Sequence, residues 1–207
     1  MPIFQRFSRY RLDTSSCRPR RAGLQQRAQT SPCADEPDSI DTEMRERLRS
    51  SGLVDVVVPG QFGGRFDQVD ALAVTVVREA LAGESAHLDS MFAMQGIGSY
   101  GRAGGSPELR AEWLPKVATL DAIAALGLTE PHVGSDLKAL TSTIVEREGM
   151  LVVNGHKSLI TNGGDADFYS ILAREGDGYS LVLVPAGTVG SPLSGPTRSS
   201  RHTCSAT

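Results

Sequence analysis

The apolar residues of this chain change their spacing once, near Ala122, and that change limits the folds open to it. Before it, Ile40, Met44 and Leu48 recur every four residues and make one helical face. Gly52 stops that helix, and a Gly/Pro-rich turn follows through Val58-Pro59 and Phe62-Gly63-Gly64. Val69, Leu72, Ala73, Val76, Val77, Ala80 and Leu81 keep a helical period, which predicts a helix with a buried face. Leu88, Met91, Phe92, Met94 and Ile97 make a second stripe, read first as core. Ser106-Pro107-Glu108 is a helix start: a hydroxyl cap, a proline at the first helical position, then an acid. After Ala122 the runs are short and punctuated by turns. Strands are expected over 122–128, 142–147, 150–154, 157–161, 169–173 and 179–185. Glu148-Gly149, Asn154-Gly155 and Asp177-Gly178 are hairpin signals between them. The fold class expected is α+β, a helical domain followed by an antiparallel sheet or small barrel.

The two ends read differently from this middle. Residues 1–37 are rich in Arg, Ser and Gln, with no apolar period. They are expected to be a disordered leader. An organelle transit peptide and a basic arm for nucleic acid remain alternative readings. Residues 38–121 then form the helical domain and 122–187 the β domain. Residues 188–207 are Ser-, Thr-, Pro- and Arg-rich with Leu193 as the single large aliphatic residue, so a disordered tail, possibly read in a shifted frame, is expected.

Composition narrows the partners. A net charge of −3 gives no general case for nucleic acid, and no apolar run approaches a membrane span. Cys17, Cys33 and Cys204 lie far apart, which fits free thiols in a reducing compartment. His87, His132, His156 and His202 lack metal-ligand spacing, so no metal is expected. A cytoplasmic protein is expected, with the mitochondrial matrix as the alternative that the Arg-rich leader leaves open.

The informative stretch is 124–168. Leu126-Gly127-Leu128 reads as a buried strand end that breaks into Thr129-Glu130-Pro131, where proline stops the ladder. Gly134-Ser135-Asp136 follows. Gly134 lets successive N–H groups turn to one side, which suits an anion, although an ordinary loop or helix cap uses the same residues. A second run, Asn154-Gly155-His156-Lys157-Ser158-Leu159-Ile160-Thr161-Asn162, has the same layout.

Taken in order, T-E-P-x-x-G-S-D and N-G-x-K-x-x-I-T-N resemble the middle domain of the acyl-CoA dehydrogenase family. The V-P…G-G turn and the S-P-E-L-R-A-E-W-L-P-K helix resemble its N-terminal domain. The resemblance covers roughly residues 40–188. It implies FAD as cofactor and α,β-dehydrogenation of an acyl-CoA or carrier-protein thioester, with hydride passing to the flavin. It implies that Leu126, Gly127 and Leu128 border the flavin ring and that Thr129 hydrogen-bonds it. Ser135 would meet the FAD pyrophosphate and lie near the substrate. Leu159 and Ile160 would pack on the ring, and Thr161 would approach it near its reactive nitrogen. The Met/Phe stripe of 84–100 would help wall the acyl chain. Many family members have Trp in place of Leu159 and a small residue in place of Val133.

The family's catalytic base is a Glu of a C-terminal helical bundle, so no catalytic residue is assigned within these 207 residues. The resemblance further implies an electron-transfer acceptor and, at full length, a homo-oligomer. An inactive fragment is therefore expected. A non-catalytic flavin- or subunit-binding piece, and a flavin monooxygenase of the same fold, are the other readings.

Overall fold

The computed structural model describes residues 40–188, 193–197 and 201–206. The leader expected over 1–37 lies outside the described residues. Helix α1, Thr42–Ser51, begins where the Asp41 carboxylate accepts from the N–H groups of Glu43 and Met44, and it ends at Gly52 in the left-handed region, φ 66°. Two short 3-10 turns, Leu53–Val57 and Gly60–Phe62, carry the chain to α2, Ala71–Glu84. Gly64 there lies so close to the Val58 carbonyl that a Cβ would sit 1.6 Å from its oxygen, which is why this turn needs glycine. Asp70 caps α2, α3 runs over Ala86–Ala103, and α4, Pro107–Ala118, starts at the Ser106 cap as expected.

The buried face of α2 is narrower than its apolar period suggests. Ala73, Val77 and Leu81 are buried, but Val69 is 46% and Leu72 51% exposed. Val69 lies before the Asp70 cap, so the helical register does not reach it.

Seven strands form one sheet in the order β1-β4-β2-β3-β7-β6, with β5 on β4. They are β1 Ala124–Gly127, β2 Thr143–Arg147, β3 Met150–Lys157, β4 Phe168–Glu175, β5 Gly178–Pro185, β6 Leu193–Thr197 and β7 Arg201–Ala206. Most pairs are antiparallel, as expected, but β1 runs parallel to β4 from Ala124↔Phe168 to Gly127↔Ile171, and β2 meets β4 in parallel at Thr143↔Arg174. The sheet is therefore mixed.

Three expectations change. Asn154-Gly155 is not a turn: β3 runs straight through it, paired with β2 from Met150 to Asn154. Gly155 is needed for close packing, since a Cβ would meet Ser142 Oγ at 2.1 Å. The strand expected over 157–161 consequently ends at Lys157, and a loop follows in which Leu159 (φ 56°) and Asn162 (φ 63°) are left-handed. The tail is also not without structure, because β6 and β7 form a hairpin and β7 pairs with β3 from Gly155↔Ala206 to Lys157↔Cys204. Backbone pairing on a strand edge needs no apolar side chains, which is why composition did not reveal it.

One core joins the helical and β portions. Leu88, Met91 and Phe92 of α3 share it with Ile123, Ala124, Ala125 and Phe168. A Cβ on Gly98 would lie 2.8 Å from the Ala124 Cβ, so α3 rests directly on the start of β1. Trp113 of α4 packs on Phe168 of β4 with ring centroids 5.2 Å apart.

Candidate active site

Strand β1 delivers its last residues to the junction of helices and sheet. Gly127 is buried, and a Cβ there would meet Ile171 Cδ1 at 2.6 Å, so packing alone requires glycine. Leu126, Leu128 and Thr129 are half-buried at the strand's end. The chain then closes a tight loop: Glu130 N–H donates to Val133 O at 2.9 Å and Val133 N–H returns to Glu130 O at 3.1 Å. Pro131 and His132 are exposed at its tip. Ser135 is exposed, and Asp136 accepts from Lys138 N–H to cap the short 3-10 turn Leu137–Ala139.

The second motif lies directly beside the first. Ser158 N–H donates to Thr129 O at 2.9 Å. The Lys157 ammonium donates to Leu128 O at 3.1 Å and to Glu130 Oε1 at 3.0 Å, and both side chains of that ion pair are 3% exposed. Glu130 takes four further bonds: from Thr141 N–H (2.9 Å) and Oγ1 (2.6 Å), and from Ser142 N–H (3.0 Å) and Oγ (2.5 Å). Burial pushes the Glu130 carboxyl up, but the bonds from Ser142, Thr141 and Lys157 outweigh it and hold the group far below the usual carboxylate range. Burial pulls the Lys157 ammonium below its ordinary value, and Glu130 opposes that pull. A carboxylate so occupied has no capacity left to take a substrate proton. Its role is to fasten one motif to the other.

Two more side chains fasten the same region. Asn162 Nδ2 donates to Ala124 O at 3.0 Å, which ties the Thr161 loop to the start of β1. Gln95, fully buried on α3, accepts from Ala124 N–H at 3.3 Å. Neither Gln95 nor the Lys157–Glu130 pair was singled out as structural from sequence. The available signal was the pairing of a Glu in one motif with a Lys in the other.

The residues assigned to the site divide by placement. Thr129, Ser135 and Thr161 have side-chain hydroxyls without a protein hydrogen bond among the described residues. Leu159 is 55% exposed on a left-handed backbone, so it stands out from the loop. Ile160 is 1% exposed and belongs to the core, so its side chain supports the loop from beneath. Leu126 and Leu128 face a cleft of about 860 Å³ between α2, α3 and the sheet. From the Met/Phe stripe, Phe92 and Ile97 line that cleft, whereas Met91 and Leu88 are core. Among the described residues no group of His, Cys, Asp and Glu could hold a metal ion.

A leucine-lined strand end with a half-buried, unspent threonine hydroxyl suits one face of a flat heteroaromatic ring carrying polar edges. The donor set therefore fits a flavin. An exposed serine hydroxyl after Gly134 adds a donor for a phosphate.

Comparison with known proteins agrees with this geometry. The description "Acyl-CoA dehydrogenase, N-terminal domain" matches residues 24–121, and "Acyl-CoA dehydrogenase, middle domain" matches residues 125–203. The chain belongs to the acyl-CoA dehydrogenase family. Both matches extend beyond the 40–188 stretch that the motifs had marked.

A cyclohexane-1-carbonyl-CoA dehydrogenase of Geobacter metallireducens is 32% identical over 176 residues, which cover 83% of this chain and 46% of that protein. Among solved structures, an acyl-CoA dehydrogenase from Bacillus anthracis complexed with FAD is 27% identical, with a TM-score of 0.70, covering 79% of this chain and 30% of that one. A glutaryl-CoA dehydrogenase from Mycobacterium smegmatis in complex with FADH2 shares the fold at a TM-score of 0.76 and 24% identity, covering 94% of this chain and 54% of that one. The chain spans about half the length of the curated relatives it matches.

Proposed function

We propose that this chain carries the flavin-facing and acyl-binding portion of an FAD-dependent acyl-CoA dehydrogenase. The observation that supports this best is the joining of the two motif loops, through Lys157–Glu130 and Ser158–Thr129, at the leucine-lined edge of an apolar cleft. FAD, when bound, supplies the hydride acceptor. Leu126 and Leu128 give the ring an apolar face, and Thr129 and Thr161 offer hydroxyls to its polar edge. Ser135 offers a hydroxyl to the pyrophosphate, and Leu159 shields the ring from the loop side. The cleft holds the acyl portion of a CoA or carrier-protein thioester. An electron-transfer protein takes the electrons onward.

Among the described residues, both carboxylates of the first motif loop are engaged. Glu130 is saturated and Asp136 caps its own turn. The described residues are therefore read as a binding unit in which neither of these carboxylates is available as a base for the α-proton. Anaerobic mixing of the FAD-supplemented chain with saturated acyl-CoA tests this. A saturable shift of the flavin spectrum without bleaching is expected. Stoichiometric bleaching with 2-enoyl product would place a base inside these residues, and an unresponsive flavin would remove the assignment.

A further inference from the structure

The cleft has a single ionised lining residue, Arg78 of α2, among the described residues. Its guanidinium is already engaged: Nε and an Nη donate to the two oxygens of Asp89 on α3 at 2.9 and 2.8 Å. Asp89 is the more enclosed partner, 17% exposed against 46% for Arg78. Such a side-on, bidentate pair matches charge with charge and fixes the guanidinium plane.

The other polar positions of the cleft offer little to an anion. Ser99 spends its hydroxyl on the carbonyls of Gln95 (2.5 Å) and Gly96 (3.1 Å). Gln68 and Thr75 are neutral, and Thr75 Oγ1 donates to Ala71 O at 2.8 Å. The remaining walls are apolar, among them Val74, Phe92, Ile97, Leu126 and Leu181. A carboxylate at the far end of an acyl chain would meet hydrocarbon, or an arginine whose charge is already balanced. An unpaired carboxylate is costly to place in such surroundings, whereas a methyl terminus gains from burial.

We infer that the cleft selects a neutral, hydrocarbon acyl group, and that Asp89 is the specificity-determining residue, because it withholds Arg78 from acyl chains ending in a carboxylate. This rests on the reading of the cleft as the acyl site. The pair also ties α2 to α3, the two helices that flank the cleft, so the gate and the wall are one device.

The test is calorimetric binding of octanoyl-CoA and of octanedioyl-CoA to the FAD-supplemented 207-residue chain. The wild-type chain should bind octanoyl-CoA about tenfold or more tightly than the ω-carboxylate. Asp89→Asn keeps the side chain's shape and frees the Arg78 charge, and should narrow the ratio by about fivefold. Arg78→Gln, the second variant, should leave the neutral ligand preferred. Thermal melting of each variant reports folding independently of binding. Equal wild-type affinity for the two ligands would overturn the inference alone, as would an unchanged ratio in folded Asp89→Asn. Failure of both thioesters to bind would instead overturn the acyl-site reading on which it depends.

Discussion

Replacing Lys157 by Met tests the junction between the two motif loops. Methionine keeps the side chain as far as Cε and removes the charged terminal nitrogen. The variant leaves Glu130, 4% exposed, without its cation. Removing one member of a buried pair costs about 3–5 kcal/mol. The four bonds from Thr141 and Ser142 remain, so the low end of that range applies. The Leu128 carbonyl also loses its ammonium donor. For a chain of this size about 3 kcal/mol corresponds to a fall in Tm of roughly 6–12 °C.

The pH dependence has a definite sign. The folded-state pKa of Glu130 lies below its ordinary value of 4.5, so its contribution is fully present above that pH and is lost as pH falls through the folded value. Lys157→Met lowers the pKa less, so its melting curve should be displaced downward at neutral pH and should converge on wild type in acid. Circular dichroism melts at several pH values read both effects. A neutral-pH Tm within about 2 °C of wild type would refute the argument that this pair holds the site together.

Other outcomes follow from the same geometry. Thr129→Val and Thr161→Val should each weaken FAD binding by about 1 kcal/mol, the worth of one neutral hydrogen bond, in a flavin-fluorescence titration. Gly155→Ala should destabilise by about 1–3 kcal/mol in urea melts, because its Cβ would collide with Ser142 Oγ at 2.1 Å and push β2 from β3. Leu159→Gly should raise stability by up to about 1 kcal/mol, since leucine bears the left-handed backbone at a cost, and should weaken flavin binding if the exposed leucine shields the ring.

The helices were legible because their caps and periods are local. Ser106 and Gly52 do in the structure what their residue types dictate. The β half was less legible where one residue type serves two purposes. Asn154-Gly155 carries the usual signal of a tight turn, yet Gly155 is there so that β3 can pass close to Ser142. That constraint comes from a neighbouring strand, and no local pattern reports it. The β6–β7 hairpin escaped for a related reason, because its ordering comes from the β3 edge rather than from its own composition.

The site was legible as two motifs but not as one place. The bond from Ser158 to Thr129 and the Lys157–Glu130 pair bring distant segments together, and only the fold shows it. Ile160 lies in the second motif loop with its side chain turned into the core, a placement that its position in the motif does not report.

The central claim is that the joined loops form the flavin face. Amide chemical-shift mapping of the isotope-labelled chain during an FAD titration tests it most directly, and it reads weak binding as well as tight. The account predicts saturable shifts clustered at Leu126, Leu128, Thr129, Ser135, Leu159 and Thr161. Saturable shifts confined to other surfaces, or none at FAD concentrations that saturate a full-length relative, would contradict it.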